Sequence, residues 1–445
     1  MLWTVNHIIQ LQLSYFFKFV CEMATPVQLQ YQTLKAQNPQ AILFFQLGDF
    51  YELFLEDAQV GARVLGINLT ARHKGTDNEM PMCGFPKHAA QKYLECLIEN
   101  GYRVAVADQV IEEDGKINRK VSRVISPGTS VESGNLTPEQ NSFLVAIDFY
   151  QSEKKHLFAL AVIDVSTGDF KTTNFATEAD FLDELYKLNP REILIPSKIF
   201  EQESFCKKLP SCLITPRKKM AEKSARKLLL DHFNIKSLDS FGLEEMALQI
   251  EVSALVLDFL QATQSDNLKH VQKIVRYSTS QTMVLDRQTM THLEIFDTLD
   301  PTQKHGALIH VFEKPFTAMG GRNLRYQLAH PLLDTQQIQT RLDLVETLTK
   351  DFYIRENLEE ILSQVFDIER LLARLSINRG NAKDLVFLGK TLEVFPKFLE
   401  IIETTNFDWL KKQAKNFAGF ENLSNKLTKG LAENPPNEIT SGGMF

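Results

Sequence analysis

Residues Phe45–Phe54 read FQLGDFYELF. An apolar run, Ala41 to Gln46, leads into them, and an amphipathic pattern continues beyond them to Leu65. The stretch predicts a buried strand that gives way, across Gly48 and Asp49, to a helix over Phe50 to Leu65. Such a handover marks an α/β unit. Asp49 stands where the N-cap of that helix is expected, and Glu52 three positions later completes a capping box with Phe50 as the first helical residue. Leu53 and Phe54 mark the face turned to the sheet. Phe50 and Tyr51 cannot then both join the core, so at least one of them is expected to protrude.

Working outward, residues 24 to 130 alternate helix and strand: a helix over Val27 to Gln37, the strand Ala41 to Gln46, the helix Phe50 to Leu65, a helix His88 to Asn100 ended by Gly101, and a strand Arg103 to Val110. The strand KVSRVI then meets the turn signal SPGT. SFLVAIDFY and HLFALAVIDVSTGDFKTTNF predict a hairpin-rich sheet, followed by a helix over Glu178 to Lys187 and the strand EILIP. From about residue 242 apolar side chains recur at helical spacing and an all-α assembly is expected. The fold class is therefore multidomain, α/β followed by all-α. Expected boundaries are an extension outside the fold at 1–23, then domains at 24–130, 131–240 and 241–445.

A chain of 445 residues exceeds one compact core and suggests roughly two to four domains. Its net charge of −7 argues against coating DNA by charge alone. Five cysteines, with no C-x-x-C pair, indicate neither a disulfide framework nor a zinc site, and fit a reducing cytoplasm. The first 22 residues are apolar, yet Asn6, His7, Gln10, Gln12 and Lys18 interrupt them and no small-residue cleavage site follows, so they read as an upstream-start extension outside the fold, with a membrane-surface role as the lesser alternative.

A protruding aromatic followed by a carboxylate suits one chemical task. Apolar wedges enter between stacked base pairs and kink the duplex, at a cost of roughly a few kcal/mol in lost stacking. A mispaired step has already lost part of that stacking and admits the wedge more cheaply. An ionised Glu52 is repelled by phosphates, so it gains only by accepting from a base N–H or by taking up a proton.

At these residues the sequence resembles the bacterial MutS family, the mismatch sensors of DNA repair. TPVQLQYQTLKAQNPQAILFFQLGDFYELFLEDA (Thr25–Ala58) is similar to that family's opening, and INLTARHKG, MPMCGFPKHA and RKVSRVISPGT resemble later recognition-domain motifs in the same order. LDRQTMTHLEIF, GGRNLRYQLAHPLLD and IERLLARLSINRGNAKDL resemble its lever or core domain. The resemblance implies a small mixed α/β mismatch-recognition domain, a ribonuclease-H-like connector and a helical lever. It makes Phe50 the ring that stacks on the mismatched base and Glu52 the carboxylate that hydrogen-bonds it. It makes Pro81 to Ala89 a loop lying near the DNA, and Arg72, Lys74, Met82, Pro86, Lys87 and His88 become candidate DNA contacts, Lys87 standing where the family usually has a tyrosine. Double-stranded DNA with mismatches or small loops is the implied ligand. A homodimer, a MutL-type partner and a cytoplasmic, nucleoid-associated location are also implied, with no membrane partner.

The family's ATP and magnesium site is expected to be missing here, together with its clamp. Gly389-Lys390-Thr391 is the one tempting phosphate-loop match, but the first glycine of that motif would fall at Asp384, inside a predicted helix. No enzyme activity, catalytic residue, metal site or cofactor is therefore expected on this chain. Eleven Lys and Arg against twelve Asp and Glu over residues 24 to 130 leave the wedge domain little general attraction to a polyanion. Basic clusters remain at Arg72/Lys74 and Arg119/Lys120/Arg123. Two alternatives stand beside mismatch binding: an interaction module with little mismatch preference, and a metal nuclease using Asp148, Asp164 and Asp169. His73, His88 and His156 have no partners at ligand spacing.

Overall fold

The computed structural model describes residues 25–436, apart from 73, 76–78, 113–114, 132–135, 153–154, 264–267, 301, 304, 313–314, 378 and 406. The extension expected at residues 1–23 lies outside the described residues. The chain divides into two units at Pro127/Gly128.

The first unit is a mixed sheet in the order β3-β4-β2-β1-β5-β6. β1 (Ala41–Leu47) lies inside it, and its alternate residues feed two separate cores. Ile42 and Phe44 turn to one face, where α2 (Leu55–Leu65) and α3 (Ala90–Glu99) cover them with Ala58, Leu94 and Leu97. Leu43 and Phe45 turn to the other, under Tyr31 and Leu34 of α1 (Pro26–Gln37). That helix begins as its sequence dictates: Thr25 and Gln28 cap each other reciprocally, and Pro26 occupies the first turn, where its missing N–H costs nothing.

Two expectations fail here. The helix expected from Phe50 starts only at Leu55, and Phe50–Phe54 is a strand, β2, paired antiparallel with β1. Gly48-Asp49 is thus a two-residue hairpin turn, with Gly48 at φ +60°, and Asp49 caps no helix. The physical reason is parity: Tyr51 and Leu53 face one core while Phe54 faces the other, so both cores are satisfied only by an extended chain. The expected loop Pro81–Ala89 is mostly strand β4 (Met80–Pro86), flanked by β2 and by β3 (Thr70–Arg72), and a single helical turn at Lys87–Ala89 follows. Two prolines and a glycine hide this strand from a propensity reading. β5 (Arg103–Ile111) pairs parallel with β1, and β6 (Ile117–Ile125) closes the far edge.

In the second unit β7 (Phe143–Ser152), β8 (Lys155–Asp164) and β9 (Asp169–Phe175) form an antiparallel meander. After α4 (Glu178–Leu188), β10 (Glu192–Pro196) and β11 (Leu213–Arg217) join β7 in parallel, the ribonuclease-H-like arrangement. α5 (Glu222–Phe233) follows, and then α6 (Ala247–Thr263), which is buried almost all round and fills the core beneath the sheet, so this core draws on both sides of residue 240. A two-residue strand, β12 (Val275–Arg276), pairs with β9 and interrupts the otherwise helical remainder.

The helical region contains α7 (Arg287–His292), α8 (Ala318–Ala329), α9 (Thr335–Lys350), α10 (Phe352–Leu362), α11 (Ile368–Ser376), α12 (Ala382–Glu393), α13 (Phe395–Thr404), α14 (Asp408–Ala414) and α15 (Glu421–Gly430). Gly389-Lys390-Thr391 lies within α12. A Cβ on Gly389 would stand 3.0 Å from Leu427 Cβ, so this glycine serves helix contact. Arg322 and Arg370 bind the backbone that leads into β7. Arg322 donates to Pro138 O at 2.9 Å, and Arg370 donates to Thr137 O at 3.1 Å and Gln140 O at 2.6 Å. A Cβ on Gly321 would fall 2.6 Å from Glu139 Cβ, which is why the helix carries glycine where this strap passes.

Candidate nucleic-acid interface

The face of the first sheet that carries α1 extends beyond that helix. Register places Phe50 opposite Pro86, Glu52 opposite Gly84 and Phe54 opposite Met82, while Thr70 and Arg72 on β3 oppose Met82 and Met80. Directly paired residues share a face, so Phe50, Glu52, Arg72, Met82, Gly84 and Pro86 lie on this one.

Phe50 is 47% exposed and its neighbour Tyr51 only 5%. It is the one exposed aromatic among the described residues of the first unit. Tyr51 points to the opposite core, where its hydroxyl donates to Asp108 at 2.5 Å. The turn presenting Phe50 is braced from several sides. Gln46 Nε2 donates to Gly48 O at 3.0 Å, Gly48 N to Gln109 Oε1 at 3.3 Å, and Lys87 N to Asp49 O at 2.8 Å. Such bracing fixes the ring's position without burying it.

Glu52 is mostly buried, and burial raises its carboxyl above the usual range, partly offset by the Arg72 guanidinium, whose Nη1 lies 3.2 Å from Oε2. A Cβ on Gly84 would stand 3.0 Å from Tyr51 O and 3.3 Å from Glu52 Cγ, so a glycine opposite leaves the carboxylate its room. Arg72 lies 5.8 Å from the Phe54 ring centroid and Arg119 5.3 Å from that of Phe45. Arg119 donates to Gln46 O and Gln30 Oε1, and both its burial and the Arg72 charge disfavour its protonated form. Two like charges side by side make an anion welcome here.

Of the other candidates, Met82 is half-buried against the α1 core and Pro86 flanks Phe50. Lys74, Lys87 and His88 are exposed in the turns after β3 and β4. The basic cluster Arg119/Lys120/Arg123 is split. Arg119 belongs to this face, Lys120 lies 3.9 Å from Glu112, and Arg123 acts on Tyr51 from the other side of the sheet. Gln46 and Gln109, which brace the turn, carried no sequence signal. Strand alternation could have separated Arg119 from its neighbours had β6 been given a register.

In the second unit the three aspartates do not converge on a vacant site. Asp148 pairs with Lys219 at 2.7 Å and Asp169 with Lys171 at 2.5 Å. Asp164 accepts from Asn141, from Ser142 N, and from the amide and hydroxyl of Ser166. Among the described residues no three His, Cys, Asp or Glu are grouped to hold a metal ion. His88 and His156 are exposed, and His73 lies outside the described residues. No described helix is long and apolar enough to cross a membrane.

Models of three domains of one family match in chain order: MutS domain I over residues 25–134, MutS domain II over 142–272 and MutS domain III over 288–445. The DNA mismatch repair protein MutS of Halothermothrix orenii is 35% identical over 428 residues, 95% of this chain and 47% of that protein. Those of Lachnoclostridium phytofermentans and Staphylococcus aureus are each 33% identical over 95% of the chain and 46% of their own length. The chain spans about half the length of the curated relatives it matches.

Proposed function

The chain belongs to the MutS family, and from that premise we propose that it binds mismatched duplex DNA for mismatch repair through the open face of its first sheet. Phe50 is the wedge that enters the weakened base step, and Glu52 is the carboxylate that meets the displaced base. Residues 24–130 form the recognition domain, 131–240 the connector and 241–445 the lever, which carries the bound state away from the wedge. ATP and magnesium, a second copy of the chain and a MutL-type partner belong to this proposal at the level of the family. No nucleotide site is assigned to these residues, since Gly389-Lys390-Thr391 is mid-helix. The cytoplasm, at the nucleoid, is the expected location.

One observation carries the proposal: Phe50 is exposed on a braced turn, while every other aromatic among the described residues of its unit is buried or half-buried. Stacking of an aromatic on a base contributes about 1–3 kcal/mol by alanine substitution. Phe50→Ala is therefore expected to weaken binding of a singly mismatched duplex by about that amount and of a paired duplex far less. Binding of the two labelled duplexes at fixed salt checks this, and an unchanged preference in the variant would refute the wedge. A second reading, an interaction module with little mismatch preference, draws on the near balance of charge in the first unit. It predicts weak binding of both duplexes by the unmodified chain.

A further inference from the structure

The ion pair between Arg72 and Glu52 is incomplete in an informative way. Arg72 uses Nη1 alone, at 3.2 Å, so the planar fork that would grip a carboxylate or phosphate at two points is not engaged with Glu52. Its side chain is 32% exposed, so the pair is weak and can open towards solvent. It stands next to Arg119, whose charge it disfavours, and over the edge of the core at Phe54. Among the described residues Arg72 is the charge that acts on Glu52, and the strands on either side set Phe45 and Gly84 beside it. The carboxylate proposed to read a base is thus tied to a guanidinium that a phosphate could also claim.

We propose that Arg72 is a positioning residue, a latch that holds Glu52 in the DNA-free protein and releases it when the guanidinium passes to a backbone phosphate. This rests on the mismatch-binding proposal above. While latched, Glu52 is neutralised and offers an arriving duplex little repulsion. Once Arg72 has moved to a phosphate, the buried carboxyl loses the cation that favoured its ionised form, and it binds a base or takes up a proton more readily. Docking on any duplex would open the latch. Only a displaced base would satisfy the freed carboxyl, which separates general attachment from recognition.

The test uses the full chain with Arg72→Gln, Arg72→Lys and Glu52→Gln. The ratio of mismatched to paired affinity is followed from pH 5 to 8, together with the salt dependence on each duplex and the titration of the Glu52 carboxyl carbon by NMR without DNA. Arg72→Gln is expected to raise the Glu52 midpoint by roughly one pH unit in the DNA-free protein, and to leave the midpoint of the affinity ratio, from which the DNA-free state cancels, near that of wild type. It should also lessen the salt slope on both duplexes by about one. Arg72→Lys should keep the slope and stay near the wild-type midpoint, and Glu52→Gln should remove the pH dependence of the ratio. An Arg72→Gln midpoint equal to wild type in the DNA-free titration overturns the latch, whatever the DNA data show. Persistent mismatch preference in Phe50→Ala overturns instead the mismatch proposal itself, so the two failures are distinguishable.

Discussion

At the scale of single residues, neighbours in sequence have opposite fates: Phe50 is exposed, Tyr51 buried, Glu52 in between, Leu53 and Phe54 buried. Because Phe50 contributes little to the core, Phe50→Ala should leave stability within about 0.5 kcal/mol of wild type, so loss of binding preference cannot be ascribed to unfolding. Glu52 has the opposite character. Burial raises its folded pKa above the ordinary 4.5, so the native state keeps this proton to higher pH than the unfolded chain does. Its contribution favours folding below about pH 4.5 and is lost as pH rises through the folded value. Glu52→Gln, which cannot ionise, is accordingly expected to gain stability on wild type between pH 4 and pH 7, which urea unfolding at the two pH values would measure. That at least one of Phe50 and Tyr51 must protrude was legible in the sequence. Which one does was not, because it depends on whether the backbone there has period 2 or period 3.6.

At the scale of elements, that same period misled the boundaries. FYELF satisfies a helical pattern if Gly48-Asp49 opens a helix and a strand pattern if it closes a hairpin; the sheet decides, since β4 needs a partner on each side. β4 itself was invisible because its prolines and glycine lower strand propensity while its neighbours supply the pairing. In the helical region, local pattern located the segments but not the strap that Arg322 and Arg370 clasp. Arg322 grips Asp367 with both terminal nitrogens, at 2.7 and 2.8 Å, and reaches Glu369 at 2.6 Å, at 5% side-chain exposure. Although burial alone would raise the Asp367 carboxyl, this guanidinium holds it below the usual range. Removing one member of a buried pair leaves the other uncompensated, so Arg322→Met should cost the second unit about 3–5 kcal/mol in urea unfolding. The loss should shrink at low pH, as Asp367 protonates.

At the scale of the whole molecule, charge sets what kind of binding is available. With a net charge of −7, the proposed mismatch binding would draw its attraction to DNA from the few cations near Phe50, namely Arg72, Lys74, Lys87 and Arg119. Each neutralised phosphate contributes about −0.9 to the slope of log affinity against log salt, so this chain's slope should be no steeper than about −4. Titrations of a paired duplex at several salt concentrations would measure it. A much steeper value would place the DNA on some other surface.

The sequence by itself determined the order of the domains' motifs, the change from α/β to helical architecture, and the presence of an aromatic and a carboxylate that the core could not absorb. All of these follow from local pattern, which a chain carries wherever it folds. Tertiary structure alone decided that Phe50 sits on a hairpin instead of a helix, and that Arg72 and Arg119 share its face. It also decided that Glu52 meets a guanidinium across from a glycine. Facing within a sheet is set by pairing register, and register is a property of several strands at once, each reporting only its own alternation.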